Sequence, residues 1–384
     1  MPRKHLIEAI ATLVGFIIGA GILGIPYVVA QAGFLTGVLN IIVIGILILI
    51  MNLMLGEVVL RTRQHHQLTG YANKYLGKYG KYAMTISMIL GLYGPLVAYI
   101  LKEGEFLSAI LSPIFGGSAL LYSLIFAILG SLLIYLGLKF IEESEVLMVL
   151  LIMIILIGIA IFTIPHIDIT NLGSFNIKNI FLPYGVVLFA FLGTGAIPEM
   201  REELKEYKYL MKKAIIIGSL IPLFVYLLFS FMIVGVTGKE NVTDGALIGL
   251  GNVLGQGIMK FGLIFGILTM ATSFLAVGLA IKEMYNFDFK MRKSYASLLT
   301  CIVPIILFII IFSMKINNAF YRVLDITGAI VFSLLGIIVI LMGLTAKKLG
   351  DRKPEYSIDG RIFFTVIIII MFVLGFIQGI IHLF

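Results

Sequence analysis

Long apolar runs, separated by short polar connections, dominate the chain from Leu6 to its end. A helix needs about 20 apolar residues to cross the hydrocarbon core of a bilayer. By that measure the sequence predicts eleven spans, at 6–32, 34–60, 82–112, 118–138, 145–165, 179–200, 209–236, 257–284, 294–313, 321–346 and 361–383. The fold class this implies is an all-α integral membrane protein. The connections are too short to hold a soluble domain.

Two runs are interrupted in a similar way. The first contains Gly19-Ala20-Gly21-Ile22-Leu23-Gly24-Ile25-Pro26, and the sixth contains Gly193-Thr194-Gly195-Ala196-Ile197-Pro198. An interior glycine costs a helix about 1 kcal/mol relative to Ala, and an interior proline about 3. Both runs therefore predict broken helices. In lipid, backbone groups freed by a break must be buried in protein or face a cavity. The plainer reading is that the glycines only let helices pack closely. Each break is a Gly-x-Gly followed by Ile-Pro, and the two lie five spans apart. An odd offset turns the second half upside down relative to the first, as in transporters built from inverted repeats around a midplane site. The expected division is 1–165 for spans 1–5, 179–346 for spans 6–10 and 361–384 for an extra span 11.

Charge sets the orientation. Only 12% of residues are charged, against about 25% in soluble domains. The net charge of +8 comes from 28 Lys and Arg, which gather in connections as topology requires rather than as a nucleic-acid surface. With the N-terminus inside, 22 of the 28 fall on inner segments and 5 on outer ones, leaving Lys102 within a span. That asymmetry predicts a multi-pass cell-membrane protein with its N-terminus cytoplasmic and its C-terminus outside. The single cysteine, Cys301, excludes an intrachain disulfide and a cysteine metal site. The run from Leu6 is too long for a cleavable signal core. The sequence has no phosphate-binding loop and no nucleophile or metal cluster, so neither an ATP-driven pump nor an enzyme is expected.

Gly19-Ala20-Gly21-Ile22-Leu23 in span 1, Gly56-Glu57-Val58-Val59-Leu60-Arg61 ending span 2 and Phe191-Leu192-Gly193-Thr194-Gly195-Ala196-Ile197-Pro198-Glu199 in span 6 resemble the amino acid/polyamine/organocation transporter superfamily. Within it they are most similar to the amino acid/auxin permease and aromatic amino acid permease branch. The resemblance implies a LeuT-type fold of five plus five inverted spans, with helices 1 and 6 discontinuous and an amino acid bound between them. The amides of Ala20, Gly21 and Ile22 at a half-helix N-terminus suit a substrate carboxylate. The span 6 break, Gly193 to Gly195, would turn carbonyls toward the amino group. By similarity, Phe191 and Thr194 line the side-chain pocket; Tyr99 is the expected pocket hydroxyl from span 3.

Thr269, Thr272 and Ser273 share one face of span 8 by their i, i+3, i+4 spacing. Oxygen ligands of this kind suit a hard cation, and related sodium-coupled transporters pair such hydroxyls with span 1 carbonyls. Carried over by motif, the carbonyls are those of Gly15 and Ile18, and the bound ion is Na⁺. The alternative is hydroxyls bonded back to their own helix. Proton coupling competes with sodium. Span 5, Val146 to Thr163, lacks the lysine some relatives use, which leaves Lys102 and Glu105 in span 3 and Asp325 in span 10 as the gate or proton relay; interfacial snorkelling of Lys102 is the plainer reading. Glu199, near the inner end of span 6, is expected to meet Arg3, Lys4 or His5 and close the inner path. The function expected is secondary active import of a neutral L-amino acid, aromatic or aliphatic, by ion-coupled symport with alternating access. The second reading is a membrane amino acid sensor. The partners are then the amino acid, Na⁺ or H⁺ and the bilayer, with no cofactor and no nucleic acid.

Overall fold

A computed structural model describes residues 2–136, 138–243, 245–358 and 361–383; the side chains of 138–145, 361–362 and 382–383 are not described, so Lys139 and Arg361 lie outside the side-chain account. Among the described residues there are helices and no strand. Among the described residues nine helices are long and apolar enough to cross a membrane, and the bent pair Pro2–Ile17 and Gly21–Ala32 makes a tenth span with a 52° change of direction. The remaining expected run, 179–200, forms two eight-residue helices, Tyr184–Phe191 and Ala196–Glu203. These are spans 1a, 1b, 6a and 6b below.

The other spans are Phe34–Arg61 (span 2), Leu68–Phe115 (3), Ala119–Leu136 (4), Leu138–Thr163 (5), Met211–Asn241 (7), Gln256–Glu283 (8), Lys293–Ser313 (9), Ala319–Leu349 (10) and Arg361–Leu383 (11). Span 3 starts earlier than its hydropathy indicates. Gly77, at φ 70° and ψ −164°, interrupts it, so residues before Gly77 form a separate short helix within the basic connection. Only a residue without Cβ takes that backbone angle freely. Span 10 is continuous but loosens into a π-helix at Thr327–Phe332, a form common at functional sites.

Burial separates the most interior spans from the most peripheral ones. The apolar windows of spans 3 and 8 are 72% and 78% buried, whereas those of spans 4, 5, 9 and 11 are 28% buried. The latter turn residues such as Ile128, Leu132, Ile154, Ile306 and Ile370 outward, as lipid-facing helices do, and the former make up the protein interior. Packing inside relies on small residues, because lipid supplies no hydrophobic drive for helix association. A Cβ on Gly37 would fall 2.7 Å from Val29 Cα, joining span 1b to span 2. Gly185 and Gly328 bring spans 6a and 10 into backbone contact. Beneath the bundle, Asp351 accepts hydrogen bonds from the Arg63 amide at 2.9 Å and from Lys74, which hold its carboxyl below the usual carboxylate range.

Candidate functional site

Span 1a ends at Ile17 and span 1b begins at Gly21. The backbone between them turns tightly: Gly19 N–H donates to the Ile17 carbonyl at 3.0 Å, and Leu23 N–H to Ala20 at 3.0 Å. Ile22 N–H is engaged with the Gly19 carbonyl at 3.3 Å, so Ala20 and Gly21 supply the amides at the very start of span 1b. Gly21 also serves packing. A Cβ there would fall 2.5 Å from Ala190 Cα in span 6a, so this glycine is what lets the two broken spans touch.

Span 6a ends at Phe191, and Leu192 turns extended at φ −74° and ψ 105°. The Gly193 and Thr194 carbonyls accept from Ala196 and Ile197 N–H at 3.1 and 3.4 Å. Thr194 is buried. Gly193 and Gly195 abut span 1a: added Cβ atoms would fall 2.7 Å from Leu13 and Ile17 and 2.5 Å from Phe16. The Phe191 ring stands edge-on to Tyr226 at 5.0 Å between centroids and packs over Gly45 of span 2. The aromatic ring of 6a that meets span 10 is Phe189, stacked 5.8 Å from Phe332 in its π stretch.

Hydroxyls gather over the span 1 break. A Cβ on Gly19 would lie 2.6 Å from Ser273 Oγ and 2.8 Å from Tyr99 Oη, so spans 3 and 8 meet there. The Ser273 hydroxyl is 2.9 Å from the Gly15 carbonyl oxygen and 3.2 Å from that of Ile18. Gly15, Ile18, Tyr99 and Ser273 are therefore brought together around Gly19. The threonines bond back along span 8: Thr272 Oγ1 to the Thr269 carbonyl at 2.8 Å, and Thr269 Oγ1 to Gly266 at 2.9 Å. All three hydroxyl residues are buried. The set of oxygens, hydroxyl and carbonyl, without any carboxylate, has the hardness that a sodium ion prefers over a transition metal.

One group was not visible in the sequence. Tyr226 of span 7 is fully buried, and its hydroxyl lies 2.7 Å from the Ile17 carbonyl and 2.9 Å from the Ala190 carbonyl. These are carbonyls at the C-terminal ends of span 1a and span 6a, where helix dipoles end negative. A single donor thus serves both breaks. No spacing rule links position 226 to either, since the contact depends on how span 7 crosses them.

Toward the Phe115 end of span 3, Lys102 is buried and its Nζ lies 2.6 Å from Glu105. Phe320 of span 10 lies under the same ammonium, 4.9 Å away. Glu105 borders a cavity of about 550 Å³ that Ser123, Asn318 and Phe320 also line. Asp325 lies against Gly185 of span 6a. Near the start of span 1a, Lys4 and His5 stand against Glu8, and span 6b carries Arg201 two residues beyond Glu199. Arg201 is buried and donates to the carbonyls of Thr62, Arg63 and Gln64 at 2.7–2.8 Å. Thr12 of span 1a donates to Glu203 of span 6b at 2.6 Å. His65 stands 3.2 Å from Glu202, yet burial lowers its pKa from the ordinary value.

A sequence model described as the tryptophan/tyrosine permease family matches residues 3–379. A relative named glutamine transporter 2, from Aliivibrio fischeri, is 27% identical over 90% of this chain and 90% of its own length. The tyrosine-specific transport system 1 of Haemophilus influenzae is 24% identical over 94% of this chain and 92% of its own. Among solved structures, MhsT in complex with L-phenylalanine superposes with a TM-score of 0.68 at 16% identity, covering 97% of this chain and 98% of MhsT. Mhp1, a nucleobase-cation-symport-1 family transporter, gives 0.70 at 13% identity, covering 98% and 90%. The fold is the LeuT-type arrangement of inverted repeats with discontinuous helices 1 and 6.

Proposed function

The chain belongs to the tryptophan/tyrosine permease family, and from that premise we propose that it imports a neutral L-amino acid, aromatic or aliphatic, by cation-coupled symport with alternating access. It is a multi-pass membrane protein of a transporter family, not an enzyme. Within that family the proposed branch is the aromatic amino acid permeases, with the N-terminus cytoplasmic and the C-terminus outside. The rocking units are drawn from repeats 1–165 and 179–346, with 361–384 accessory.

The observation that carries this reading is the convergence of Gly15, Ile18, Gly19, Tyr99 and Ser273 at the span 1 break. Ser273 Oγ and the Gly15 and Ile18 carbonyls, with the Thr272 hydroxyl and the Thr269 carbonyl beside them, are the proposed Na⁺ ligands. When the ion arrives, the Ser273 proton turns away and its oxygen becomes an acceptor. Next to it, the Ala20 and Gly21 amides, with Ile22 following, take the substrate carboxylate, and Tyr99 adds a hydroxyl. The Gly193–Gly195 segment takes the amino group, with Thr194 beside it; Phe189 is a better candidate than Phe191 for the side-chain wall, since it stacks on Phe332 in the π stretch of span 10. Lys102, Glu105 and Asp325 form the proposed outer gate, and Glu199 with Arg201 the inner one. Ion and substrate then favour each other's binding by the same factor, which is what lets a sodium gradient drive accumulation.

Uptake by liposomes holding the purified protein tests the reading. Labelled L-tyrosine, L-phenylalanine and L-glutamine are offered with sodium and pH gradients imposed separately. Saturable accumulation driven by inward sodium is expected. Binding without accumulation would favour a sensor.

A further inference from the structure

Span 3 carries a carboxyl that none of these roles uses. Glu103 is 0% exposed, and neither of its carboxyl oxygens has a hydrogen-bond partner among the described residues. Its sequence neighbours are engaged: Lys102 with Glu105, and Gly104 against Ser123 of span 4. Helix geometry fixes the direction in which Glu103 faces. Tyr99 and Phe106 lie about a turn before and after it on the same side. Tyr99 reaches Gly19, and Phe106 packs on Gly266 of span 8. Glu103 therefore looks into the seam between spans 4 and 8, one turn beyond the hydroxyls over Gly19 toward the Phe115 end.

The charged and titratable groups on the packed elements are occupied elsewhere. In span 8, Lys282 donates to the Ile134 carbonyl, Glu283 accepts from Gln67, and Lys260 is exposed. In span 4, Tyr122 donates to Gly116, and Tyr135 is exposed. Span 10 meets span 3 through Phe320 under Lys102, and its Asp325 lies against span 6a. Span 9 meets span 3 further in, where the Tyr93 hydroxyl reaches the Leu299 carbonyl. An ionised carboxylate without counter-charge or hydrogen bond is not tolerated in such an interior, whereas the neutral acid is.

We propose that Glu103 is a proton-binding site: it holds a proton while enclosed and exchanges it when the transport cycle opens the seam to water, so that amino acid uptake is linked to proton movement alongside the cation at Ser273. The step transfers one proton between water and a carboxylate oxygen; no other bond forms or breaks. The cycle rests on the transport reading above, but the protonation does not.

Two measurements on the full chain separate these. Infrared difference spectra of the purified protein should contain a protonated-carboxyl stretch that disappears in Glu103→Gln and shifts in Glu103→Asp. In liposomes with a pH-sensitive dye trapped inside, wild-type uptake of L-tyrosine, L-phenylalanine or L-glutamine, whichever accumulates, should change by up to about tenfold per pH unit on its titrating limb. The same uptake in Glu103→Gln should change by less than about twofold, with the dye signal lost, because one proton no longer enters the linkage. Glu103→Asp should restore the dye signal. A Gln variant that keeps the wild-type pH profile, dye signal and infrared band overturns the proposal. If wild-type liposomes accumulate no amino acid, the transport reading falls, and the infrared band alone judges Glu103.

Discussion

At the span 1 break, Gly19 faces hydroxyls, with Ser273 and Tyr99 closing over it. At the span 6 break, Gly193 and Gly195 face the apolar side chains of Leu13, Ile17 and Phe16. The same Gly-x-Gly pattern serves two purposes. In span 1 the absent side chain leaves room for polar atoms brought by spans 3 and 8. In span 6 it lets one half-helix lie against the other broken span. The polar chemistry therefore belongs to the surrounding helices, and the repeat supplies matching gaps rather than matching ligands. Tyr226 of span 7 joins the two breaks through the carbonyls of Ile17 and Ala190.

Crowding the two breaks is the harshest way to test the contrast. Gly19→Val drives a branched side chain into Ser273 and Tyr99, and uptake should fall about a hundredfold, the scale at which a displacement of 1 Å disables a positioned site. Gly195→Ala meets only the movable tip of Phe16, so uptake by this variant should stay within about tenfold of wild type by the same scale. Equal losses would erase the distinction. Gly21→Val is a poor probe of ligand contact, because the Ala190 backbone is in its way.

Ser273→Ala removes the hydroxyl that meets both span 1 carbonyls. The sodium concentration for half-maximal uptake should rise about 10–100-fold, as when a metal site loses a supporting group; Thr194→Val, at the other break, should leave it unchanged. Tyr226→Phe keeps the ring over Phe191 and removes the donor shared by Ile17 and Ala190. Leaving buried carbonyls short of a donor costs about 1–3 kcal/mol, which should lower the melting temperature in detergent and weaken substrate binding together. Thr12→Val cuts the link from span 1a to Glu203 and should cost about 1 kcal/mol in the same melt, with sodium dependence intact.

The smallest effect is one of pH in the connection between spans 2 and 3. His65 has its pKa lowered in the fold by burial, against the pull of Glu202. The folded state then binds fewer protons than the unfolded one. Its contribution is complete above the ordinary histidine value of about 6.5 and is lost as pH falls below that value toward the folded pKa. Melting curves at pH 7.5 and 5.5 should show that loss in the wild type and a smaller one in His65→Gln.

Several of these features can be read from residue order, and others cannot. The breaks announce themselves through glycine and proline energetics, and Lys102 with Glu105 through helical spacing. The convergence of Ser273 with Gly15 and Ile18 is legible because hydroxyls at i, i+3 and i+4 mark a face and the resemblance names its partner. Tyr226 is hidden because its acceptors are backbone carbonyls on two other spans. Arg201 is hidden for the same reason: its acceptors, at Thr62, Arg63 and Gln64, carry no side-chain signature. Phe189 and Phe191 part company because a two-residue step around a helix turns a side chain by about 200°, from Phe332 of span 10 to Gly45 of span 2. The helix before Gly77 is missed because hydropathy reports membrane depth, and a short amphipathic helix in a basic connection carries little of that signal.

The central claim is that a cation and an amino acid share the span 1 break. It is tested most directly by sodium-driven uptake in liposomes of the wild type beside Ser273→Ala. The wild type should accumulate an amino acid saturably under an inward sodium gradient, and the variant should still bind the amino acid but need about 10–100-fold more sodium. Accumulation by Ser273→Ala with an unchanged sodium dependence would contradict it.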